Sequence, residues 1–217
     1  MSLESIQHVP EGARDGSPLV VLLHGRGSDE HDLQGIVSFL PPDAILVTPR
    51  APFSGAPWGY GPGWAWYRYS GGRRVADETL EESLTALDDF LDTLGANLPV
   101  RTGPKILGGF SQGGTMGLAW ALSRPGQVSG VAVLSGFLVE SPIVEMSPGS
   151  AAGLEVFWGH GRADPNIPFT MAEESRRILG EAGAVLDTVD HPGGHQISPD
   201  EMRAFRQWLD RVAAAKA

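Results

Sequence analysis

Ser111 stands in Gly109-Phe110-Ser111-Gln112-Gly113. A serine with glycine two residues away on each side is the pattern that lifts a hydroxyl out of a tight strand-to-helix turn. Such a hydroxyl can attack a carbonyl carbon and hold the acyl group until water removes it. The glycines let strand and helix approach closely while the serine backbone is held under strain. With 29 glycines in 217 residues a five-residue pattern arises easily by chance, so the reading depends on the other groups this chemistry needs.

A serine hydroxyl is a weak nucleophile until a base takes its proton. The turn therefore predicts a histidine further along the chain and an acid between the two. Of the six histidines, His195 in Gly193-Gly194-His195-Gln196 leads, because it falls in a loop after the last expected strand and before the final helix. His191 is its rival, nearer the strand end and without a preceding glycine pair. His8 and His31 read as surface residues. His24 and His160 each end an expected strand in a His-Gly pair and should brace the strand tips by hydrogen bonds. No two histidines show metal-ligand spacing on one helix. For the acid, Asp164 in Gly159-His160-Gly161-Arg162-Ala163-Asp164-Pro165 follows a strand within a short loop, at the same sheet edge as Ser111. Asp187 and Asp190 are rivals, too close to His195 in sequence for a separate supporting loop.

Attack on a carbonyl makes its oxygen negative, and two backbone N–H groups aimed at that oxygen would stabilise it. One is expected from Gln112, directly after the serine. The other is expected from Leu23-His24-Gly25-Arg26-Gly27, after the first core strand, with the Arg26 N–H best placed. Proline at position 26, which removes that donor, is the direct test.

Positioning these groups requires strands that end together. Short apolar runs at 19–23, 44–47, 105–108, 131–134, 155–158 and 185–189 alternate with helical patterns, which predicts a mostly parallel sheet flanked by helices. The spacing of Leu80, Leu84, Leu87, Leu91 and Leu94 predicts a helix over 78–94, with Asp77 as N-cap and Gly95 as its stop. Helices are also expected over 112–123, 170–180 and 199–214, the last presenting Met202, Phe205, Trp208, Leu209 and Val212 inward. Between 51 and 72 neither period holds. That stretch carries Tyr60, Tyr67 and Tyr69 with Trp58, Trp64 and Trp66, so it reads as an ordered functional loop.

Composition narrows the function further. The length fits a single domain over 1–217, with no repeat, no low-complexity tract and no apolar run approaching a membrane span. Met1-Ser2-Leu3-Glu4-Ser5 shows neither the basic start nor the apolar run of a secretory leader, so the expected location is the cytoplasm. Zero cysteines excludes disulfides, thiolate metal sites and cysteine nucleophiles. A formal charge of −10 works against nonspecific binding to nucleic acid or an anionic membrane. The expected partner is a small molecule.

Taken together, Leu-His-Gly-x-Gly at 23–27, Gly-Phe-Ser-Gln-Gly-Gly at 109–114, His-Gly-x-x-Asp-Pro-x-x-Pro at 160–168 and Gly-Gly-His at 193–195 resemble the phospholipase/carboxylesterase family, the acyl-protein-thioesterase-like α/β-hydrolases. The resemblance runs in order from about Pro18 to the final helix. It implies an α/β-hydrolase fold without a large cap domain, no cofactor, and hydrolysis of carboxylic esters or acyl thioesters by Ser111, Asp164 and His195. A homodimer is a weaker implication of the same resemblance.

The chain departs from that pattern at two places near the acyl entrance, Arg26 inside His-Gly-x-Gly and Arg68 in Trp66-Tyr67-Arg68. If these side chains face the pocket, a long lipid tail is disfavoured and a smaller or anionic ester favoured; if they pair with Asp29 or Glu30, selectivity is unaffected. The pocket itself is expected from the aromatic loop, including Trp66 and Tyr67, with Phe137 and Ile167. These features suggest a serine carboxylesterase for short or medium esters, losing activity in acid as the imidazole protonates. An acyl thioesterase or lysophospholipase would use the same machinery. An amidase, and a ligand-binding protein that keeps the hydrolase fold without turnover, are the remaining alternatives.

Overall fold

In the computed structural model, residues 3–216 are described. Met1 and Ser2, which open the segment read above for a leader, lie outside them, as does Ala217. Seven strands form one sheet: β1 (Ser5–His8), β2 (Leu19–Leu23), β3 (Ile45–Pro49), β4 (Lys105–Phe110), β5 (Gly130–Leu134), β6 (Glu155–Gly161) and β7 (Val185–His191). Their spatial order is β1-β3-β2-β4-β5-β6-β7, all parallel except β1, which runs antiparallel to β3 with Ser5 opposite Pro49.

β2 and β5 are apolar along their whole length because both faces of the sheet are covered. Leu19, Val21 and Leu23 of β2 join one core cluster with α1 (Asp77–Leu94), α2 (Gln112–Ser123) and α3 (Phe169–Glu181). Val20 and Leu22 join the other, with the 3-10 helix Gln34–Phe39 and α4 (Pro199–Lys216). The period of two along a strand thus sorts alternate residues onto opposite helical layers. No cap domain is inserted among the described residues, and none of their helices is long and apolar enough to cross a membrane.

The chain passes from β2 outward to β3, then returns across the sheet to β4 on the other side of β2. At such a reversal the connections leave in opposite directions and open a crevice at the carboxyl ends of the strands. The loop after β2 and the turn after β4 both border it.

Two local expectations need correction. Asp77 is not the N-cap of α1: Ala76 occupies that position with extended backbone and no side-chain capping bond. Asp77 lies in the first turn, where the helix dipole favours a carboxylate, and its Oδ1 accepts the Ser141 hydroxyl at 2.6 Å. α1 does stop at Gly95, as expected; there φ is −61°, and the chain tightens into a 3-10 turn at Gly95–Asn97. The aromatic stretch 51–72 is not irregular throughout. Phe53–Ser54 pairs with Trp64–Ala65, Ala56–Trp58 makes a 3-10 turn, and Tyr69–Gly71 pairs with Arg74–Val75.

Candidate active site

Ser111 sits in the turn between β4 and α2 with φ 54° and ψ −115°, a conformation that costs a non-glycine residue about 1–3 kcal/mol. Its N–H donates to Leu134 O at 2.7 Å and its carbonyl accepts the Thr115 N–H at 3.1 Å, which fixes the turn from both sides. A Cβ at Gly109 or Gly113 would overlap the Leu23 carbonyl oxygen, so neither strand nor helix could approach β2 this closely with a larger residue.

His195 Nε2 lies 2.9 Å from Ser111 Oγ, and His195 Nδ1 lies 2.7 Å from Asp164 Oδ2. A carboxylate only accepts, which places the ring proton on Nδ1 and leaves Nε2 to accept from the serine. Asp164 is buried, and its other oxygen accepts the N–H groups of Asn166 and Ile167 at 2.8 and 2.9 Å. Both carboxylate oxygens are therefore committed, and the side chain cannot rotate without breaking bonds at either end.

The rival residues have other partners. His191 Nδ1 accepts the Gly193 N–H at 3.1 Å, so Nε2 carries the proton and faces Gln196 O at 3.1 Å. This ring closes the base of the loop that presents His195. Asp187 pairs with Arg211, and Asp190 with Arg162 and Arg176. The His195 and Asp164 loops are joined by Arg162 N–H to His191 O at 2.8 Å and Ala163 N–H to Gly193 O at 3.0 Å.

His24 and His160 brace the strand tips. His24 Nδ1 donates to Gly25 O at 2.7 Å while Nε2 accepts the Ala51 N–H at 3.0 Å. His160 Nε2 donates to Ile167 O at 2.9 Å, behind Asp164. Burial lowers the pKa of both rings, opposed by those carbonyl hydrogen bonds, and favours neutral imidazoles.

The Arg26 N–H meets no acceptor among the described residues. Gln112 opens α2, so its N–H has no intrahelical partner either. Both residues line a cavity of about 280 Å³ that also contains Ser111 and His195. The loop carrying Arg26 is tied to the aromatic stretch by Gly27 N–H to Trp64 O and Trp64 N–H to Ser28 O, each 2.7 Å.

Three of the four expected pocket residues, Tyr67, Phe137 and Ile167, line this cavity. Trp66 does not: it is 0% exposed, and its indole N–H donates to His24 O at 3.1 Å beneath the loop. Its part is to support the wall. Tyr69 of the aromatic loop lines the cavity as well, as do Asn166 and Met171, which were not anticipated. Burial pushes the Tyr67 phenol upward, so this wall remains uncharged. Arg26 faces the cavity with its guanidinium 4.7 Å from the Tyr60 ring centre, whereas Arg68 pairs with Glu78. Neither pairs with Asp29 or Glu30. Glu30 instead holds Arg50 through two hydrogen bonds of 2.5 and 2.6 Å.

Asp29, Glu30 and His31 bring donor atoms within 4.8 Å of one another, the one such group among the described residues. Because Glu30 is engaged with Arg50, the cluster is a poor cation site.

A mostly parallel sheet with helices on both faces and a strained serine turn at its crevice defines an α/β-hydrolase. Residues 4–213 match the family described as phospholipase/carboxylesterase, and the chain belongs to that family. It is similar to the putative hydrolase MhqD of Bacillus subtilis (strain 168), 32% identical over 214 residues that cover 94% of this chain and 97% of that protein. It is also similar to the probable carboxylesterase Os04g0669600 of Oryza sativa subsp. japonica, 30% identical with 93% and 91% covered. Among solved structures, esterase PE8 superposes with a TM-score of 0.80 at 29% identity, covering 98% of this chain and 100% of that one. The protein is accordingly a serine hydrolase acting on carboxylic esters.

Proposed function

We propose that the protein is a carboxylesterase that cleaves short- to medium-chain esters through an acyl intermediate on Ser111. The observation that carries this reading is the continuous hydrogen-bond chain from Ser111 Oγ through His195 to Asp164, opening into a cavity with two free backbone donors. His195 Nε2 takes the serine proton as Oγ attacks the carbonyl carbon. Asp164 holds the ring by Nδ1 and stabilises the imidazolium. The N–H groups of Arg26 and Gln112 receive the developing oxyanion. His195 then gives its proton to the leaving oxygen, and water repeats the sequence on the acyl-serine.

Chain length follows from space. A cavity of about 280 Å³ lies at the small end of the roughly 300–1,000 Å³ typical of ligand pockets and suits a short acyl group better than a long lipid tail. Hydrolysis of a p-nitrophenyl ester series by the native protein and by Ser111→Ala, each purified identically, tests the reading. Activity on short and medium chains that disappears in the variant supports it; equal rates in both proteins, or none in either, overturns it. Matched oxygen esters and thioesters in the same assay decide which leaving atom is preferred.

A further inference from the structure

A second opening adjoins the first on the far side of His195. It is a groove of about 460 Å³ between the 3-10 helix Gln34–Phe39 and the start of α4, with Ile36, Phe39, Ile197 and Met202 among its walls. The groove shares Asp32, Phe110 and His195 with the smaller cavity, but Ser111, Arg26 and Gln112 border only the latter. Phe110 lies against the His195 ring with centroids 4.8 Å apart and forms the partition between them. Phe39 and Ile197 are only half-buried and present apolar surface to the groove beside the reacting centre, while Ile36 and Met202 are buried behind them.

We infer that this groove receives the alcohol half of the ester, and that it suits apolar alcohols that are neutral or cationic. The inference rests on the Ser111 acyl-enzyme reading and adds the division of the substrate. As the Ser111 Oγ–carbon bond forms, the carbonyl oxygen turns toward Arg26 N–H and Gln112 N–H, which fixes that substituent in the smaller cavity. The carbon–oxygen bond to the alcohol then breaks, and the serine proton passes through His195 Nε2 to the departing oxygen. The departing oxygen must therefore lie within hydrogen-bond reach of His195, and its substituent continues on the histidine side. The groove of about 460 Å³ lies on that side. Asp32, exposed at the junction and without an ion-pair partner among the described residues, disfavours a carboxylate on the alcohol.

Gly35 offers a clean test. It lines the groove, is exposed, and a Cβ placed there meets nothing within 4 Å, so Gly35→Trp adds bulk at the groove wall without disturbing the core. With the acyl group held as acetyl, kcat/KM of Gly35→Trp should fall about tenfold for cyclohexyl and phenylethyl acetate and stay near the native value for methyl acetate. Phe39→Ala, which widens the same groove, should shift preference toward bulkier alcohols. The acyl-enzyme is common to all acetates, so its hydrolysis should be unchanged in both variants. A p-nitrophenyl series varied in acyl length should fall by one common factor. Loss of long acyl chains alone, a changed rate of acyl-enzyme hydrolysis, or no change with any alcohol would overturn the assignment. Residual activity in Ser111→Ala would instead overturn the reading on which it rests.

Discussion

Gln112 Oε1 accepts the backbone N–H of Trp66 at 2.8 Å, and the same amide donates through Nε2 to Tyr67 O at 2.7 Å. One side chain thus satisfies two buried backbone groups of a segment 46 residues away in sequence. The consequence is positional. The residue proposed to offer its N–H to the oxyanion also holds the aromatic wall in register with the serine turn. Ser83 reinforces the arrangement by donating to Trp66 O.

Gln112→Leu keeps the backbone N–H but strands the Trp66 donor and the Tyr67 acceptor in a buried place. Each unsatisfied group costs about 1–3 kcal/mol, so unfolding free energy should fall by about 2–6 kcal/mol. Urea denaturation measures it. A variant as stable as the native protein would mean that the aromatic segment is held mainly by Trp66 and its apolar neighbours.

Asp164→Asn separates orientation from charge. The amide oxygen can still accept from Asn166 and Ile167, which directs the NH₂ group at His195 Nδ1. The ring must then accept at Nδ1 and carry its proton on Nε2, where it cannot take one from Ser111. We expect kcat to fall by about 10³–10⁴ with the fold retained, read by steady-state kinetics beside circular dichroism. A loss under tenfold would show that Asp164 does not set the tautomer.

The sequence exposed the strands and the proposed triad for different reasons. Strands covered on both faces leave uninterrupted apolar runs, and Leu19–Leu23 is buried at every position. β1 left no such trace, because Ser5–His8 lies at the sheet edge with Ile6 as its one strongly apolar residue. Ser111, Asp164 and His195 could be singled out because their surroundings are local: a glycine-flanked turn, a short loop, a glycine pair. Trp66 could not be placed by such means. Its role depends on His24 O, brought near only by folding, and an aromatic-rich segment does not say which rings face a cavity and which support it. Asp77 failed as a cap for a similar reason, since Ser141 engages its carboxylate from across the fold. The groove beside His195 draws its walls from segments more than 150 residues apart, 33–39 and 196–202, and no spacing rule connects them.

Glu30 should make the protein acid-sensitive near the loop that carries Arg26. Hydrogen bonds from Arg50 hold the buried carboxyl at about 2, against an ordinary value of 4.5. Because the folded value is the lower one, the stabilisation is complete above 4.5 and disappears as pH falls through 2. That interval corresponds to about 3 kcal/mol at most. Glu30→Gln should therefore destabilise the protein at pH 7 and cost little at pH 2 and below. Chemical denaturation of both proteins across that range checks it, and a gap independent of pH would show that packing, not the Arg50 pairing, supplies the stability.

Glu201 predicts the opposite slope. It is fully buried in the first turn of α4, where its Oε2 accepts the Ser198 N–H at 3.2 Å while Ser198 Oγ accepts the Glu201 N–H at 3.1 Å. This reciprocal pair is a capping box. Its Oε1 has no hydrogen-bond partner among the described residues, and His191 Nε2 stands 3.4 Å from Oε2. Burial raises the carboxyl from 4.5 to about 7, opposed by the Ser198 N–H and by the positive charge of Arg176. With the folded value the higher one, the neutral acid's advantage is complete below 4.5 and is lost as pH rises through 7. Glu201→Gln keeps the acceptor for Ser198 and carries no charge at any pH. The variant should match the native protein at pH 4.5 and exceed it by up to about 3 kcal/mol above pH 8, a gap of about 6–12 °C in Tm for a domain of this size. Scanning calorimetry at three pH values reads it directly. A native protein that gains stability relative to the variant as pH rises would instead show the carboxylate ionised and held by Arg176 and His191, tying the first turn of α4 to the loop that presents His195.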